Sequence, residues 1–188
     1  MLVENEQTNT PEANALLSLM CFHASRFDAR MDRHGEIILY DEQDEQLWNM
    51  ELIGRGGYFL HCASTGNVLS KYHLEATIAY WHTIKADMKE KWENILQLYN
   101  KLLQIEYSPV AALNRTFALS KVNGKEEAII EAEKLALTDN QFYFVLLGEL
   151  YTGTDNKKAK EHFSKAFSLA KTETDKKTIR KKIDELSQ

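Results

Sequence analysis

Proline and cysteine are scarce, with two of each in 188 residues. Few prolines leave long stretches free of helix breakers and favour a nearly all-helical chain. Two cysteines, Cys21 and Cys62, exclude a disulfide framework and fit a reducing, cytoplasmic setting. No apolar run approaches the roughly 18 residues needed to cross a bilayer, and the opening MLVENEQTNTPE has neither the basic flank nor the apolar core of an export signal. Lysine is missing from residues 1–60, where 11 carboxylates face four arginines. Such a front repels phosphates and argues against nucleic-acid binding there. Residues 155–188 reverse the sign, with ten basic against six acidic side chains, which reads as a lysine-rich solvated helix face.

The motifs of chemistry are thin too. There is no CxxC and no HxxxH; Cys21 and His23 point to different helix faces, and His61-Cys62 is adjacent, so neither pair suits one metal ion. The cysteines read as small core residues. Asp41, Glu42, Asp44 and Glu45 lack the glycine turn and closing glutamate of a calcium loop and read as a solvated helix start. GRGGYF lacks the lysine and hydroxyl residue of a phosphate loop. These absences predict no metal, no cofactor and no catalytic residues. An enzyme would need His23, Asp41, Asp44 and His82 to converge in one pocket with perturbed pKa values.

What is present is helical periodicity. Trp92, Ile95, Tyr99, Leu102 and Leu103 share one face; Ser108-Pro109 supplies a cap and a first-turn proline; Val110, Leu113 and Phe117 begin a second face. Thr10-Pro11-Glu12 starts a helix predicted to run to about Arg30. Met31 to Tyr40 breaks the period and reads as a short extended or hairpin piece, after which Asp41–Asp44 offers caps for a helix carrying Leu47, Trp48, Leu52 and Ile53. Further helices are predicted over 71–85, 126–137, 141–151, 156–170 and 176–186. Residues 144–166 carry Phe144, Leu147-Gly148, Tyr151, Ala159, Phe163 and Ala166, the pattern of a tetratricopeptide helix pair, and Leu113, Asn114, Phe117, Ala128, Ala132 and Leu135 form a looser preceding pair. The expectation is one all-α, tetratricopeptide-like array of about eight helices.

Among polar side chains, Asn114-Arg115 suits either the grip of a carboxylate in a repeat groove or a buried structural pair, the latter preferred. His23, Arg26 and Arg30 form a stripe at three- and four-residue steps, set against the acidic 41–45 segment.

Four blocks occur in order: PEANALLSLMCFHASRFDAR (11–30), GEIILYDEQDEQLWNMELIGRG (35–56), YHLEATIAYWH (72–82) and WENILQLYNKLLQIEYSPVAALNR (92–115). The series resembles the C-terminal tetratricopeptide-like extension of bacterial sigma factors of the extracytoplasmic-function type. Within the blocks, Asp44 and Trp48 match the family's acidic-aromatic stretch, with Asp41 beside them as a further candidate for interaction, whereas Glu45-Gln46, Asn49 and Gly54-Arg55 depart from it. The resemblance implies a domain excised from a longer protein: residues 1–10 a remnant of a preceding helix or linker, 11–90 a family-specific helical part, 91–188 tetratricopeptide-like helix pairs. It implies a regulatory interaction domain without the promoter-binding sigma regions 2 and 4. The partners expected are those regions, RNA polymerase or another protein, with no direct promoter DNA contact and no membrane. Dimerisation through the exposed repeat ends is compatible with this reading. A free-standing peptide-binding adaptor is the alternative.

Overall fold

Capping chemistry sets where the helices begin. The structure, a computed structural model, describes residues 3, 5–31, 38 and 40–186. Those residues form nine α-helices, two three-residue 3-10 turns and no strand, so the fold is all-α. The hairpin expected near 31–40 falls mostly on 32–37 and 39, outside the described residues; beside it, the Ile38 N–H donates to the Arg30 carbonyl at 2.9 Å. Two compact units emerge, Met1–Glu106 and Tyr107–Gln188.

The first unit holds α1 (Pro11–Ala24), α2 (Met50–Ala63), α3 (Lys71–Trp81) and α4 (Lys89–Ile105), with α1 packed on both α2 and α3. Thr10 caps α1 by accepting the Ala13 N–H at 3.1 Å. The helix stops at Ala24 rather than near Arg30. Ser25 turns its hydroxyl back onto the Phe22 carbonyl at 2.8 Å, and its own carbonyl accepts the Asn49 N–H at 2.8 Å, which draws the chain away. The cap expected from Asp41–Asp44 is likewise displaced. Asp44 caps only the 3-10 turn Glu45–Leu47, through the Gln46 N–H at 2.9 Å, and Asn49 caps α2 through the Leu52 N–H at 3.0 Å. Helices α1 and α2 meet at Gly56, where an added Cβ would lie 2.6 Å from the Phe22 ring. Ser18 fastens the same point, its hydroxyl donating to the Gly56 carbonyl at 2.8 Å. The face read on α4 is buried at Trp92, Ile95, Tyr99 and Leu102.

The second unit holds α5 (Pro109–Asn123), α6 (Lys125–Leu135), α7 (Gln141–Tyr151), α8 (Asn156–Leu169) and α9 (Glu173–Glu185), each packed on the next, and α5 also on α7. Ser108 caps α5 through the Ala111 N–H, and Gly124, at φ 95°, makes the reversal into α6 that a Cβ would resist. Ala128, Ala132, Ala159 and Ala166 are fully buried, so the helices approach closely where the small residues predicted it. Gly148 lies against Phe163 as Gly56 does against Phe22. The boundary after Glu106 leaves α4 in the first unit.

Candidate functional site

In the second unit two helical stripes face one another. Val110, Leu113, Asn114 and Phe117 recur at steps of three and four on α5, and Phe142, Val145, Leu146 and Glu149 do so on α7; together they line an apolar groove of about 330 Å³. Val110 is 60% exposed and Phe142 57%, large values for apolar side chains on packed helices. Asn114 is exposed and supplies an amide to the groove. Its neighbour Arg115 is turned to α6, with Nη1 3.9 Å from Glu131 Oε2. The pair read together in the sequence is therefore split, one residue to the groove and one to the packing between helices. At the rim, Glu149 accepts a short hydrogen bond from Lys182 of α9.

The first unit carries a denser polar cluster around Tyr40, where the chain runs from the first 3-10 turn toward Trp48. Arg26 places its guanidinium 5.4 Å from the Tyr40 ring centre and 5.8 Å from that of Trp48. The Tyr40 hydroxyl donates to the Ile84 carbonyl at 3.3 Å and accepts from Lys91 Nζ at 3.0 Å; Lys91, fully buried, also donates to Ile84 at 2.5 Å. His82 meets Tyr40 edge-on at 5.3 Å and Trp92 at 6.0 Å.

Burial, reinforced by Arg26, Lys91 and His23, pushes the His82 pKa down to about 4. Burial first pushes Tyr40 up to about 12, with Arg26 opposing and nearby carboxylates adding to the rise. Both groups move away from neutrality, whereas general acid–base transfer is most efficient with a pKa near the working pH. Asp44, spent as a cap, and His82, enclosed by rings, take up separate structural tasks. Among the described residues no group of three His, Cys, Asp or Glu is placed to hold a metal ion, and no helix is long and apolar enough to cross a membrane.

The remaining sequence candidates divide. Arg30 Nη2 lies 3.2 Å from His23 Nδ1, and partial burial with the two arginines lowers the His23 pKa. Arg26 meets aromatic rings, not the 41–45 carboxylates; Asp41 is exposed and Trp48 buried. The cysteines are half-buried, not core, and Cys62 lines a pocket with Asn14, Tyr58 and Phe59; burial raises the Cys21 thiol against the pull of Arg55. Sequence reasoning did not assign roles to Tyr40, Gln43 and Lys91. The available signal was two aromatic residues, Tyr40 and Trp48, bracketing a run of otherwise acidic and polar side chains.

Residues 1–64 match a family of unknown function, DUF6596. The chain is 32% identical over 182 residues to an uncharacterized protein of Rhizobium meliloti (strain 1021), a match that covers 94% of this chain and 43% of that protein. The chain thus spans less than half the length of the curated relative it matches. No solved structure matches.

Proposed function

We propose that this chain is a regulatory protein-interaction domain of a bacterial RNA polymerase sigma factor, acting in the cytoplasm through contacts with the sigma core. The observation that carries the reading is the α5–α7 groove, whose exposed Val110 and Phe142 are anchors of the kind that bind an amphipathic segment of another polypeptide. The four ordered sequence blocks supply the sigma-factor context. The length of the Rhizobium relative beyond the match is consistent with a domain that works beside further protein. The occupant proposed for the groove is an apolar-faced helix of sigma region 2 or region 4.

The test is binding of the 188-residue chain to purified sigma region 2 and region 4 fragments from the same cell, measured by calorimetry, with run-off transcription as the functional readout. Phe142→Glu and Val110→Glu should each weaken binding by about 30-fold, the scale of losing a buried anchor. Their circular dichroism should stay unchanged, because both positions are already exposed. Tight binding of an unrelated peptide through the same groove, with no response to either sigma fragment, would favour the adaptor reading, which the Asn114 amide at the groove wall also suits.

A further inference from the structure

Arg26 is 8% exposed, yet its Nε is sealed from water without an acceptor, and no carboxylate among the described residues pairs with its guanidinium. The charged neighbour acting on it is Arg30, a second cation. Its contacts are the Tyr40 and Trp48 rings. Ring faces attract a cation but do not accept its N–H bonds in the plane of the fork, so a desolvation cost stays uncompensated. Two more buried polar atoms share this state: Trp48 Nε1, a donor on the ring beside Arg26, and Gln43 Oε1, an acceptor five residues before Trp48 in the same segment. Tyr40 and Trp48, the two rings against Arg26, bracket Gln43 in one segment, residues 40–48. Tertiary bonds pin this segment at Tyr40, at the Gln43 carbonyl through Lys85 and, just beyond it, at Asn49 through Ser25; between these pins residues 44–48 hydrogen-bond locally, and access opens there.

We propose that this cluster is a binding site for a single carboxylate, an aspartate or glutamate side chain on a partner protein segment that also carries lysine or arginine. Arg26 takes the carboxylate through its fork and Trp48 Nε1 adds a second donor, while Gln43 Oε1 accepts an N–H of the incoming backbone. Charge complementarity sets the rest of the ligand. Asp41, Glu42, Asp44 and Glu45 are exposed around the segment, so they reject a polyanion and meet flanking cations. The site lies wholly within the first unit and does not depend on the α5–α7 groove or on the sigma-factor reading.

The test follows the Arg26 Nε–H resonance of the isotope-labelled full chain during titration with acetyl-Lys-Asp-Lys-amide, acetyl-Lys-Asn-Lys-amide and inorganic phosphate. The aspartate peptide should shift that resonance saturably, with a dissociation constant of about 1 mM, the scale of one charge-assisted contact. The asparagine peptide and phosphate should leave it in place. The Trp48 Nε1–H resonance should shift with the aspartate peptide too, and Arg26→Lys, which keeps charge but loses the fork, should abolish that shift. Arg26→Gln should unfold at the same temperature as the native chain or higher, since it removes a buried charge that has no internal partner. Equal shifts from both peptides, no saturable shift, tighter binding of phosphate, or a lower unfolding temperature for Arg26→Gln would each overturn the assignment.

Discussion

Gly148→Ala tests whether the second unit is held together by close helix approach. An ideal Cβ at Gly148 lies 2.6, 2.7 and 2.7 Å from three ring atoms of Phe163, a side chain 1% exposed and enclosed by the same core as Leu147 and Ala166. Contacts that short require the ring or the helix to move; inserting a methyl into a packed core costs about 1–3 kcal/mol, and three contacts below 3 Å on a buried ring place Gly148 high in that range, at about 2–3 kcal/mol. Alanine recovers about 1 kcal/mol in helix propensity over glycine, leaving a net loss of about 1–2 kcal/mol. In a cooperative unit of this size that loss lowers the unfolding midpoint by about 4–16 °C. Thermal unfolding by circular dichroism reads the midpoint, and hydrogen exchange along α7 and α8 localises the effect. Gly54→Ala is the control, because nothing lies within 4 Å of its Cβ. It should gain about 0.5–1 kcal/mol from propensity alone. Combining Gly148→Ala with Phe163→Leu should relieve part of the clash and give a coupling energy of about 1 kcal/mol. A Gly148→Ala protein as stable as the native one, or strict additivity in the double variant, would refute the close-approach argument.

Two further outcomes follow from the first unit and from α8. His82 has a pKa lowered from 6.5 to about 4, so it stays neutral in the folded chain while the unfolded chain takes up its proton below about 6.5. Its contribution is complete above that pH and is lost as pH falls toward 4, by up to about 3 kcal/mol; His82→Phe should flatten the urea-midpoint profile over that window, and an unchanged profile would show that His82 is not the group responsible. Asp155 accepts the Lys158 N–H at 3.0 Å as the cap of α8, so Asp155→Ala should cost about 1 kcal/mol and speed exchange in the first turn, whereas Asp155→Asn should cost much less.

Helix starts were legible where a cap and an apolar period coincided, as at Thr10-Pro11 and Ser108-Pro109. Helix α7 runs from Gln141 to Tyr151, the span its periodicity predicts. Boundaries failed where tertiary contacts compete with local preference. Periodicity carries α1 to Arg30, but the Ser25–Asn49 backbone bond, reaching across 24 positions in sequence, ends it at Ala24. The groove was half legible. Its α5 stripe was read from Val110, Leu113 and Phe117, while Phe142 and Val145 became recognisable as the facing wall once α7 was set against α5. The Arg26 stripe was visible, but its partners were not: a carboxylate run nearby in sequence suggested ion pairing, and the fold supplied rings instead.

By itself the sequence determined the all-helical class, the capped starts and the small residues where helices meet, because each rests on spacing over a few residues. The tertiary structure alone decided that Asn114 faces a groove while Arg115 packs toward Glu131, and that Arg26 is buried without a carboxylate. Adjacent helical positions differ by about 100° in direction, so which one meets a neighbour depends on where that neighbour is placed. The charge balance around a buried side chain is likewise set by distant segments, which no local pattern encodes.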